Sequence, residues 1–109
     1  HPHVVQDTAR VNGVPVIYSM GNAVSNMSAA NTQLELMVTL KIVRHWNGDI
    51  TMLEPELTWL WCSRPGGFTD DYIVIPVEEY IDRKDEWSGE WDYDKMKTTF
   101  ERVRKTTDR

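Results

Sequence analysis

The strongest constraint in this sequence is the stretch from Leu34 to Trp61, two alternating runs that turn at Asn47-Gly48. A two-residue type I′ loop needs positive φ at both positions, favours Asn-Gly, and fixes which residues face each other across the ribbon. Leu34 then faces Trp61, Leu36 faces Trp59, Val38 faces Leu57, Leu40 faces Pro55 and Ile42 faces Leu53. One face of the hairpin is therefore apolar on both strands. The other sets Glu35, Met37, Thr39, Lys41 and Val43 against Leu60, Thr58, Glu56, Glu54 and Met52, and is mixed, with Lys41 opposite Glu54. A lone two-stranded ribbon does not recover the backbone entropy that it loses on folding, so the apolar face needs a cover.

A shorter hairpin precedes it. Asn12-Gly13 supplies the same two-residue turn, which puts Val11 opposite Val14, Ala9 opposite Val16 and Thr8 opposite Ile17. Pro15 has no N–H for the ladder, so its strand is an edge or carries a bulge. Gly21 and Asn22 tolerate left-handed angles and suit a sharp exit from the second strand. Ser25 to Gln33 is rich in Asn, Ser and Ala without apolar periodicity, and reads as a loop.

Past the long hairpin, Arg64-Pro65-Gly66-Gly67 ends the strand pattern. No lysine and helix start follow the two glycines, as a phosphate loop requires, so a plain turn is expected. Tyr72 to Ile75 reads as a short buried strand, and Pro76 as the first position of a short helix with Glu78 and Glu79 in its first turn. From Asp92, placed as N-cap, Tyr93, Met96, Phe100 and Val103 recur at helical spacing over about three to four turns. That apolar stripe is expected to cover the hairpin. The fold class is thus α+β, mainly antiparallel β, with two hairpins, a short strand and a C-terminal amphipathic helix. It is organised over 1–109 as a hairpin region (1–62), a loop, strand and short helix (63–91) and a closing helix (92–106).

A chain of 109 residues holds one domain at most. Its formal net charge of −5 argues against a nucleic-acid surface, because phosphate binding needs clustered cations, and only Arg102 to Lys105 is locally basic. No apolar run approaches the roughly 18 residues of a membrane span; membrane association and targeting are left open, since the sequence starts at His1-Pro2 with no initiator methionine. Cys62 is the sole cysteine, so no intrachain disulfide forms and the redox compartment is open.

His1-Pro2-His3 is the string with the most chemistry in it. In an extended segment His1 and His3 project to the same side, where two imidazoles reach one metal ion or two adjacent ones. A bound ion wants four or more ligands, so the pair is half a site, and a ragged terminus gives the same string. His45, beside the long hairpin's turn, reads as a surface residue.

Taken together, HPHVVQ, a short polar hairpin with an Asn-Gly turn, and VIYSMGNAVS resemble the C-terminal part of the CapA-type capsule synthesis family, associated with poly-γ-glutamate biosynthesis. That family is similar to the calcineurin-like metallophosphatases, a double β-sandwich around a two-metal centre. Its members typically read HPHVVQP and then YSLGNFVF; in this sequence Asp7 stands for the proline, and Ala23 and Ser25 replace the two aromatic positions. The resemblance is close from His1 to about Asn26 and loose in the long hairpin and residues 72–76. It implies that His1 and His3 are the last two histidine ligands of a divalent-metal centre, that Gly21 and Asn22 line it, and that the other donors lie before His1. The chain is then a C-terminal piece whose partner is the missing N-terminal part. The whole is a phosphoesterase-type protein of the cell envelope or extracytoplasmic space, and the piece alone is inactive, without metal, and self-associating through a bare sheet edge. The residues also support another class, a non-catalytic β-rich interaction module that binds a partner through exposed tryptophans and a spare edge.

Overall fold

A computed structural model describes residues 2–107. In chain order the elements are β1 (Thr8–Val11), β2 (Val14–Ile17), β3 (Leu34–Thr39), β4 (Ile42–Arg44), β5 (Ile50–Met52), β6 (Glu56–Ser63), β7 (Ile73–Pro76), α1 (Val77–Tyr80), a 3-10 turn (Lys84–Glu86) and α2 (Glu90–Thr107). The strands form two separate ribbons, β1-β2 and β4-β5, and a three-stranded antiparallel sheet in the order β3-β6-β7.

Asn12 and Gly13 both take positive φ, 52° and 79°, as a type I′ turn demands. The first hairpin accordingly has the expected register, with Val11 on Val14, Ala9 on Val16 and Thr8 on Ile17. The long hairpin keeps its expected register only in its inner half, from Leu34 on Trp61 to Thr39 on Glu56. Beyond that, Ile42 pairs with Met52 instead of Leu53, and Lys41 O accepts from Leu53 N at 2.9 Å. Leu40 thus stands against two residues, Glu54 and Pro55, as in a β-bulge, and Pro55 lacks the N–H to continue the ladder.

The turn itself differs from expectation for a local reason. His45 N donates to Asp49 O at 2.8 Å, enclosing a three-residue loop, Trp46-Asn47-Gly48, in which Gly48 is left-handed at φ 93° and Asn47 is not. Asn47 Oδ1 instead accepts from Asp49 N at 3.0 Å, an Asx turn that competes with type I′ geometry. Nor does Lys41 meet Glu54: it lies 3.9 Å from Glu56, while Glu54 pairs with Arg10. The outer ribbon consequently leaves the core. Ile42, Val43, Ile50, Met52 and Leu53 are exposed, and Trp46 at the tip is 100% exposed. The molecule is elongated, 53 × 26 × 22 Å.

The apolar face of the inner hairpin is covered by α2. Leu34, Leu36, Trp59, Trp61 and Ile75 from the sheet form one buried cluster with Tyr93, Met96, Phe100 and Val103 from the helix. Trp59 meets Phe100 edge to face, with ring centroids 5.6 Å apart. Two boundaries move. Pro76 ends β7 and caps α1 from outside it, and α2 begins at Glu90, so Asp92 is no N-cap but a buried residue of the first turn. The reason is Gly89, whose carbonyl already accepts from Asp92 N at 3.1 Å and starts the helix earlier.

Candidate functional site

Residues 5–7 run antiparallel to residues 18–20. Val5 bridges Met20, Gln6 N donates to Ser19 O at 3.1 Å and Tyr18 N to Asp7 O at 3.3 Å. Leu36 N donates to Met20 O at 2.8 Å, which fastens this pair along the free side of β3. Just beyond, Gly21 turns the chain at φ 78°, and a Cβ at that position would lie 2.8 Å from Leu34 O. Only glycine takes that angle and that close approach without strain.

This path brings His3 against Asn22, with Nδ1 and Oδ1 2.9 Å apart. The Asn22 amide is oriented by its other end, where Nδ2 donates to Ser25 Oγ at 3.2 Å and to Met27 Sδ at 3.3 Å. With Oδ1 as the acceptor, this contact selects the ring tautomer that carries its proton on Nδ1. A metal-binding histidine is commonly held in this way, with one nitrogen donating to an oxygen and the other presented to the ion.

Of the four residues expected at a site, the fold therefore brings His3, Gly21 and Asn22 together; His1 lies outside the described residues. Among the described residues no three His, Cys, Asp or Glu side chains gather in a metal-holding group. The donor set fits a metal in part: His3 supplies one imidazole oriented by Asn22, and a complete cage needs more than residues 2–107 supply. His45 is exposed on the outer ribbon, bonded through Nε2 to Thr51 Oγ1 at 2.8 Å, in line with a surface role.

Two buried acids escaped the sequence reading. Asp92 looked like a cap, yet it ties α2 to β6, and its signal was a run of Gly66-Gly67 and Gly89 letting backbone approach closely. Alternation puts Glu35 on the mixed face and assigns it no role. It is buried, and burial pushes its carboxyl up to about 9. Its signal was an apolar neighbourhood on that face, Met37 beside it and Leu60 across. Compared with models of protein families, curated proteins and solved structures, the chain matches none.

Proposed function

We propose that the chain is the C-terminal part of a CapA-like protein of capsule or poly-γ-glutamate biosynthesis, in which His3, together with His1, holds a divalent metal of a phosphoesterase-type centre. The observation that carries this reading is the His3–Asn22 hydrogen bond, which joins the His-Pro-His string to the Tyr-Ser-Met-Gly-Asn string across 19 residues. Two motifs that the resemblance pairs are neighbours in space. When bound, a two-metal centre polarises a phosphoryl oxygen and lowers the pKa of a coordinated water. The part of this chain is narrower: His3 supplies an imidazole donor, Asn22 fixes the ring, and Gly21 lets the loop close on β3. The remaining donors come from outside the 109 residues, where the rest of a double β-sandwich would stand.

The full-length protein tests it. Replacing His3 by Ala is expected to remove metal, measured by elemental analysis, together with hydrolysis of a generic phosphoester. Asn22→Ala is expected to weaken metal affinity by roughly 10- to 100-fold, the usual cost of losing a group that orients a ligand. Unchanged metal content after both His1 and His3 become Ala overturns the reading. The exposed apolar ribbon favours the second class, a non-catalytic interaction module, and that same unchanged metal content would select it.

A further inference from the structure

Glu35 is only 2% exposed, and both of its carboxyl oxygens are buried without a hydrogen-bond partner. A buried polar group left unpaired is costly enough that native folds rarely keep one, so two on the same side chain point to a group that completes them. Glu35 lines a cavity of about 440 Å³ whose other walls include Met20, Gly21, Ala23, Met37 and Leu60. Glu35 is the one polar side chain among otherwise apolar walls.

A single group that satisfies both oxygens is a planar cation with two parallel N–H donors; an ammonium is a compact, strongly hydrated point charge and matches the pair less well. We infer that this cavity binds a guanidinium or amidinium on an apolar body, its N–H groups on Glu35 Oε1 and Oε2 and its body against Met20, Met37 and Leu60. Because both oxygens are buried, reaching them requires side chains of the wall to move, and Met20 and Met37 are the unbranched, exposed ones. The cavity shares Gly21 with the His3–Asn22 turn, but Glu35, its only ionisable wall residue, has no part in the metal reading.

Binding has a proton signature. With its carboxyl pushed up to about 9, Glu35 holds its proton at pH 7; the incoming cation keeps its own charge and Glu35 gives one proton to solvent. Few other groups confuse the count. Residues 20–33 carry no titratable side chain. From β6, Cys62 faces Glu35, and its thiol is pushed up chiefly by burial, with the Glu35 charge adding to it. Arg64, just past β6, faces Cys62 and donates to the Met27 carbonyl, and Glu56 is exposed at the far end of the strand.

Benzamidine is the probe, titrated calorimetrically into the 109-residue chain at pH 7 in buffers of different ionisation enthalpy. The expected result is one proton released per benzamidine bound, at least tenfold weaker binding to Glu35→Gln, and no comparable binding of benzyl alcohol. Equal binding to the Gln variant, no proton release, or no binding at millimolar benzamidine overturns the inference. Should Glu35→Gln lose its circular dichroism signature, Ala23→Trp decides: placed at the exposed rim, it is expected to weaken benzamidine at least tenfold, and unaltered binding to it overturns the site.

Discussion

Asp92 sits buried in the first turn of α2, where the helix dipole favours a negative charge. Its Oδ2 accepts from Ser63 Oγ at 2.6 Å and from Trp61 Nε1 at 3.2 Å, and Ser63 Oγ accepts in turn from Phe68 N at 2.9 Å. Gly67 lies so close that a Cβ there would fall 2.6 Å from Ser63 Oγ. Asp92→Ala strands two buried donors, and a loss of about 2 to 4 kcal/mol is expected from the urea midpoint; Asp92→Asn keeps an acceptor and loses less. Glu35 makes the opposite kind of prediction. Its folded value of about 9 lies above the ordinary 4.5, so the folded state binds the proton more tightly. Stability from this group is complete below pH 4.5, declines as pH rises, and is gone above about 9. Urea unfolding between pH 6 and 9 is expected to show that decline, and Glu35→Gln to flatten it.

At the scale of elements, α2 and the outer ribbon are opposites. Phe100 is buried against Trp59, and Phe100→Ala is expected to cost about 3 to 5 kcal/mol, a large share of what a domain of this size possesses. Trp46 is equally large and touches solvent only, so Trp46→Ala is expected to stay within about 0.5 kcal/mol. Both values come from the same denaturation experiment. A periodicity of 3.6 made the buried face of α2 legible, since Tyr93, Met96, Phe100 and Val103 must share a side wherever the helix docks. The start of α2 was less legible, because Gly89 and Asp92 compete to begin it and tertiary burial of Asp92 decided between them.

For the whole molecule, the consequence of the bulge at Leu40 is an apolar ribbon in water, and at the other end of β6 the sheet ends in β7 as an edge strand. Exposed edges and apolar patches drive association. Light scattering at millimolar concentration is expected to report a mass above the monomer's 12.7 kDa, and Ile42→Lys with Ile50→Lys to lower it. A strictly monomeric mass for the unaltered chain would contradict this.

Local stereochemistry carried a good part of the fold in the sequence alone: the Asn12-Gly13 register and the apolar stripe of α2 follow from backbone angles and side-chain period, whereas the inner hairpin from Leu34 to Trp61 keeps its expected register only because the bulge at Leu40 offsets the three-residue turn. Of the candidate site, His3, Gly21 and Asn22 were legible as motifs, but their meeting was an expectation from the resemblance alone, because it depends on residues 5–7 finding 18–20 across a hairpin. Only tertiary structure decided that Glu35 is buried while Met37, two residues along the same face of β3, is exposed. Alternation says which side a residue faces; what lies across from it depends on where distant segments of the chain come to rest.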